Sequence, residues 1–157
     1  MDVRRAATAD IPAIVALTDA AYRPNESIIG VPSLPRLADY ALVLAEHEVW
    51  LAEAEGRLEA ALVLETRDNQ FIVWSIAVAP DAAGKGLGTR LMQFAEERAS
   101  GLGHDAVHLY THARLTERIG WYERLGYQIT HHEDLPDRRL AHMRKSLETN
   151  KTIQKPT

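Results

Sequence analysis

The sequence contains no cysteine, which excludes a disulfide framework, thiolate zinc sites and any cysteine nucleophile. The same absence suits a reducing compartment. An excess of positive charge is also missing. The 18 Lys and Arg stand against 22 Asp and Glu, for a net charge of −4. A chain so balanced has no global attraction to phosphate backbones, so nucleic acid is not an expected partner. No apolar run approaches the ~18 residues that a bilayer span requires, so no membrane is expected either. The opening Met1–Arg5 lacks the apolar stretch of a signal peptide, and the expected location is cytoplasmic. What is present is the composition of an ordinary globule: 157 residues, 46% hydrophobic and 25% charged. That length predicts one domain, residues 1–147, followed by a polar tail over 148–157.

Apolar periodicity divides the chain into alternating strands and helices. Val3–Arg5 reads as a short strand. A helix follows, capped by Thr8 or Asp10, with a stripe of Ile11, Ile14, Val15, Leu17 and Thr18. The proline- and glycine-bearing stretch Asn25–Pro35 predicts a mobile loop, and Leu37–Glu46 a second helix. Val49–Glu55 and Leu58–Glu65, separated by Gly56-Arg57, read as a hairpin. Phe71–Ala79 is apolar except at Ser75, the signature of a central strand covered on both faces. After Pro80 comes a glycine-rich loop and a helix marked by Leu87, Leu91, Phe94, Ala95 and Arg98. Ala106–Thr111, Tyr127–His132 and Arg139–Lys145 complete the strands, with a helix at Glu117–Leu125. The order is mixed α/β with hairpins at both ends.

The loop is the most informative segment. Gly84, Gly86 and Gly88 stand at alternate positions, where freedom of the backbone lets successive amides face one concavity. The helix that follows adds the positive end of its dipole. Lys85 and Arg90 offer full charges. These features describe a site for a phosphate or pyrophosphate; the alternative is a connector without a ligand. Neither common phosphate motif fits. The sixth position from Gly84 is Thr89 rather than glycine, and Gly84-Lys85-Gly86 lacks the P-loop arrangement.

Ile76-Ala77-Val78-Ala79-Pro80 followed by Ala83-Gly84-Lys85-Gly86-Leu87-Gly88-Thr89-Arg90-Leu91 resembles the acyl-CoA-binding motif of the GNAT family of N-acetyltransferases. Thr116–Tyr127 resembles that family's closing helix–strand motif, and the two stand in the expected order over residues 72 to 130. The resemblance implies a mixed α+β fold: a twisted, mostly antiparallel sheet of six to seven strands, flanked by about four helices and splayed at its two central strands. It implies acetyl-CoA as acyl donor and an amine-bearing small molecule or protein as acceptor, with direct transfer in a ternary complex. The implied coenzyme-binding residues are Ile76, Ala77, Val78, Ala83, Gly84, Lys85, Gly86, Leu87, Gly88, Thr89, Arg118 and Tyr122. Ile76 and Val78 would bond pantetheine through their main chain, and the amides from Ala83 to Thr89 would hold the pyrophosphate. Tyr122 falls where many members carry the tyrosine that faces the coenzyme sulfur, which makes it the candidate catalytic acid. This chain departs from the pattern at Ala83, often Gln or Arg, at Arg118, often Asn, and at Gly120, often Ala. Arg118 either lies near the coenzyme or points to water. A non-catalytic acyl-CoA-binding regulatory module is the alternative function.

Acyl transfer to an amine needs a neutral amine, a polarised carbonyl and a protonated leaving thiolate. A phenol with an ordinary pKa near ~10 can supply that last proton while neutral at pH 7. Glu46, His47, Glu65 and His112 end elements near the expected cleft as possible bases, and none is assigned. His104, His108 and His112 share strand parity near His131-His132, but alternate strand residues lie about 6.6 Å apart, so surface or cleft-lining histidines are expected and no metal. Trp121 and Leu125 read as core, and Pro136-Asp137-Arg138-Arg139 as solvated surface from which Arg138 or Arg139 can reach an acidic substrate. The acceptor side should comprise the Asn25–Pro35 loop, the second helix and the loop before Arg139. A homodimer through the late strands is compatible with the sequence and not demanded by it.

Overall fold

The computed structural model describes residues 2–147; the expected tail over 148–157 lies outside the described residues. Seven strands, β1 (Asp2–Arg5), β2 (Glu48–Ala54), β3 (Arg57–Arg67), β4 (Gln70–Val78), β5 (Ala106–His112), β6 (Gln128–Leu135) and β7 (Arg138–Ser146), form one sheet. Its order is β1-β2-β3-β4-β5-β7-β6. Every neighbouring pair is antiparallel except β4 with β5. The helices are α1 (Ile11–Tyr22), α2 (Glu26–Ile29), α3 (Leu34–Leu37), α4 (Tyr40–Glu46), α5 (Leu87–Gly101) and α6 (Thr116–Arg124). Among the described residues no helix is long and apolar enough to cross a membrane.

The sheet carries a separate core on each face. On one face Leu91, Ala95 and Ala99 of α5, spaced one helical turn apart, join Ile119 and Tyr122 of α6 over Leu62, Val73, Ile76 and Leu109. On the other, Ile14, Leu17 and Tyr22 of α1 and Tyr40 and Val43 of α4 cover Leu51, Val63 and Ala77. This double cover is why β4 reads as an apolar run broken only at Ser75 after its first residue. Phe94 and Arg98 turn to the edge of α5, where both pack on Trp50.

Several local expectations are corrected. Val15 is 47% exposed and takes no part in the buried stripe. Asp10 does not cap α1 with its side chain. Its carboxylate instead accepts the Ala7 amide and holds the Arg4 guanidinium. The Asn25–Pro35 stretch is not an open loop, because α2 and α3 form within it and an ion-pair clamp ties them. Arg36 binds Glu26 and Asp19, each at 2.6 Å, while Glu26 also accepts the Ser33 amide at 2.9 Å. The β2–β3 turn is one residue earlier than its glycine suggests, with Glu55 and Gly56 both at positive φ.

Candidate active site

The site originates in a gap in the sheet. β4 and β5 pair only where Phe71–Val73 meets Val107–Leu109. Immediately beyond, Val63 and Leu64 of β3 face Ser75 and Val73, which leaves Trp74 as an extra, unpartnered residue of β4. Such a bulge bends its strand and re-aims the side chains that follow. Val73 before it and Ile76 and Val78 after it therefore share the α5–α6 face, whereas Ala77 packs under α1. Past the bulge β4 stays with β3 and β5 with β7. Through the gap between them the end of α1 meets α6.

Two cavities open there. The outer cleft, about 330 Å³, is walled by Ile76, Val78, the glycine loop, Arg118 and Trp121. The inner one, about 60 Å³, lies between the parted strands, with Trp74–Ile76 on one side, Tyr110–His112 on the other, and Tyr122 and Arg138 at its walls. They share Tyr22 and Ile76. Of the residues expected to bind coenzyme, Ile76, Val78, Ala83, Gly84, Gly86, Leu87, Gly88, Thr89 and Arg118 line the outer cleft. Tyr122 lines the inner cavity instead, and Ala77 and Lys85 line neither.

The glycines do different work. Gly84 and Gly86 have φ of +83° and +79°, a conformation that penalises other L-residues by about 1–2 kcal/mol. Gly88 is helical, inside α5, and its role is close approach: a Cβ there would lie 3.3 Å from the Trp121 ring. Trp121 is thus a half-buried wall of the cleft rather than interior core. The first helical pairing here is the Arg90 amide to the Gly86 carbonyl, 3.1 Å. The amides of Leu87, Gly88 and Thr89 have no intrahelical acceptor and stand at the positive end of the α5 dipole. No carboxylate side chain lines this cleft among the described residues.

At the junction of the cavities Tyr22, a residue that sequence reasoning missed, organises the main chain. Its hydroxyl lies 3.1 Å from Ser75 Oγ, 3.0 Å from the Ile76 carbonyl and 3.3 Å from the Ile76 amide, which donates to it. Arg118 points inward, not to water. Its guanidinium donates to the Ile76 carbonyl at 3.0 Å and sits 5.4 and 5.7 Å from the Tyr22 and Tyr122 ring centres. Among the described residues it has no carboxylate partner. Tyr122 is 4% exposed. Burial pushes its phenol above the ordinary value, against the smaller opposing pull of the Arg118 cation.

Of the four possible bases, only His112 lines the inner cavity. Burial, with Arg138 and Arg114 nearby, holds its imidazole below the ordinary value. Its Nδ1 accepts the Arg114 amide at 3.1 Å, so the neutral ring carries its proton on Nε2 and presents a donor. Glu65 is engaged by Arg67. The histidines do not converge: His108 lines a separate groove, where His131 stacks on His142 at 4.4 Å. Arg138, read from sequence as surface, has a side chain only 4% exposed, whereas that of Arg139 is 57% exposed. Of the segments expected on the acceptor side, Ser33–Pro35 and Arg138 line the inner cavity and α4 contributes nothing to it.

Residues 45–129 match the sequence model of the acetyltransferase (GNAT) domain. The chain is 31% identical over 157 residues to S-(2-succino)cysteine N-acetyltransferase of Bacillus subtilis, covering 92% of this chain and 94% of that protein. Its fold matches the crystal structure of the ribosomal-protein-S18-alanine N-acetyltransferase of Escherichia coli with a TM-score of 0.77 at 17% identity, over 95% of both chains. PaiA N-acetyltransferase of Thermoplasma acidophilum, solved in complex with coenzyme A, matches with a TM-score of 0.74 at 15% identity, over 92% of this chain and 98% of that one.

Proposed function

Since the chain belongs to the GNAT family of acetyltransferases, we propose that it transfers the acetyl group of acetyl-CoA directly to a primary amine in a ternary complex, with the coenzyme in the outer cleft and the amine in the inner cavity. The observation that carries this reading is the meeting of the two cavities at Ile76, among the described residues the only strand residue common to both. The outer cleft suits an anionic coenzyme: three helix amides without intrahelical acceptors, a partly buried cation and, among the described residues, no acid. The coenzyme supplies an activated acetyl thioester; the remaining chemistry falls to the chain.

The Ile76 amide belongs to the residue at the junction and donates to Tyr22 over a long 3.3 Å bond. We assign it to the carbonyl oxygen as negative charge develops there. Pantetheine approaching β4 meets an Ile76 carbonyl already held by Tyr22 and Arg118, so binding exchanges those bonds rather than filling empty positions. Tyr122, protonated at neutral pH and still more firmly so for being buried, is assigned to protonate the departing sulfur. Direct attack of the amine on the thioester carbon needs no enzyme nucleophile, in keeping with the absence of cysteine. Among the described residues no side chain at the inner cavity offers a free base, so the amine is assigned to lose its proton to solvent. The cavity's small volume, and the small-molecule acceptor in the Bacillus subtilis relative's name, favour a small acceptor over a protein amino group.

The test is thermal unfolding with acetyl-CoA, coenzyme A, ATP and NAD in parallel, followed by thiol release with an amine panel. A ligand at a hundredfold excess over its Kd stabilises by about 2.7 kcal/mol. Stabilisation by the two coenzymes alone, with amine-dependent thiol release, is the expected result. Equal stabilisation by ATP, or no thiol release with any amine, would overturn it.

A further inference from the structure

We infer that the acceptor is a small amino acid, its carboxylate gripped by Arg138 at the inner end of the cavity; this rests on the assignment of that cavity to the amine. Arg138 is the first residue of β7, and its neighbour in the β6–β7 turn, Asp137, is its ion-pair partner. The two differ sharply in exposure: 4% for the arginine side chain and 58% for the aspartate. Both Asp137 oxygens lie 3.2 Å from the Nε and Nη2 of the fork, longer than the 2.6 Å bonds of Arg36. The Nε–Nη2 edge of the guanidinium therefore already accommodates a carboxylate side-on, and the one it holds is mostly exposed to water.

The rest of the cavity points to the same ligand. No Asp or Glu lines it among the described residues. The neutral His112 ring presents Nε2–H because its other nitrogen accepts the Arg114 amide. A cation, a ring donor and hydroxyls without an acid make a poor site for an ammonium and a good one for an anion. Size narrows the class. A cavity of about 60 Å³ has room for only a few water-sized groups, which favours the shortest amino acids over those with long side chains. A peptide N-terminus, whose amine adjoins a neutral amide, gives the fork nothing to bind.

Matched acceptors test this with the full-length protein and saturating acetyl-CoA: glycine against glycinamide, L-alanine against L-alaninamide, and β-alanine against its amide, with simple alkylamines beside them. The acids are expected to show higher kcat/KM than their amides. Arg138→Gln should shrink the acid-over-amide ratio of kcat/KM by about tenfold to a hundredfold, the value of a lost charged hydrogen bond. Stabilisation by coenzyme A reports whether the variant is folded. Should Arg138→Gln fail to fold, inhibition of the wild-type enzyme by N-acetylalanine against N-acetylalaninamide decides the matter, with the acid expected to be the stronger. Equal use of acids and amides, a preference that survives Arg138→Gln, or equal inhibition overturns the inference. Thiol release with alkylamines alone overturns it and leaves the transferase reading standing, whereas no release with any amine overturns both.

Discussion

Tyr22→Phe removes one oxygen and separates two roles of the same residue. In the folded protein that hydroxyl satisfies the Ile76 amide and bridges Ser75 Oγ and the Ile76 carbonyl. The carbonyl keeps Arg118, and the Ser75 hydroxyl can rotate toward another acceptor. The Ile76 amide is left without a partner. An orphaned buried donor costs about 1–3 kcal/mol. The bond lost is long, at 3.3 Å, which places the loss near the lower end, about 1–2 kcal/mol. For a domain of this size that lowers Tm by about 2–8 °C. The functional consequence has the opposite sign, because the amide assigned to the thioester carbonyl no longer has to give up a competitor. The variant should be less stable alone, yet show a coenzyme-induced Tm shift at least as large as wild type and an undiminished kcat. Differential scanning fluorimetry across an acetyl-CoA titration, with initial-rate kinetics, measures both. A tenfold weaker coenzyme affinity would falsify the placeholder role and make Tyr22 a binding residue.

Gly86→Glu places a side chain on a left-handed backbone beside the free amides of α5; acetyl-CoA should no longer raise Tm, and an unchanged titration would remove the pyrophosphate from this loop. Tyr122→Phe should leave coenzyme affinity within about twofold and reduce kcat by about a hundredfold, the lower bound for a lost general acid. Equal turnover with the best acceptor would take Tyr122 out of the mechanism. With no side-chain base at the inner cavity, kcat/KM should climb about tenfold per pH unit up to the pKa of the free amine offered. Its falling limb, set by Tyr122, should lie above the phenol's ordinary ~10, because burial raises that group. A rising midpoint that stays fixed as the amine is changed would reveal an enzyme base.

How much of this was legible in the sequence depended on whether local chemistry or long-range packing decided each feature. The loop was legible because Pro80 and the glycines punctuate an apolar strand and an amphipathic helix, and left-handed turns at Gly84 and Gly86 are local events. Gly88 was misassigned in kind, since its need for smallness comes from Trp121, a residue far along the chain. The bulge at Trp74 left no trace in Phe71–Ala79, because a strand buried on both faces shows no alternation that an inserted residue could break. Arg138 was masked by its neighbours. A turn followed by three charged residues reads as surface, and only the pairing of β7 with β5 turns that one side chain inward. Tyr22 resembled any apolar residue at the end of a helix until the sheet gap brought it to Ile76.

The distribution of charge explains how an amine can react without a side-chain base. Although the chain is net acidic, many of its carboxylates neutralise cations away from the cavities: Glu48 holds Arg98, Glu96 holds Lys145, Glu26 and Asp19 hold Arg36, while Asp137 holds Arg138 from outside the inner cavity. None lines either cavity among the described residues, and Arg118 is left without an acid at their junction. An ammonium entering the inner cavity loses its water and approaches a guanidinium. Both effects favour its neutral form and lower its pKa. The carboxylate of the acceptor, paired with Arg138, offsets that arginine's charge and leaves desolvation and Arg118 in control. Because kcat reports groups in the ternary complex while kcat/KM reports the free species, the two pH profiles should separate. The kcat midpoint should lie at least about one unit below that of kcat/KM, which corresponds to about 1.4 kcal/mol of differential interaction. Arg118→Met should narrow the gap by removing the like charge. Coincident midpoints in the wild-type enzyme would mean that the bound amine feels neither burial nor Arg118, and that its proton leaves by a route these residues do not control.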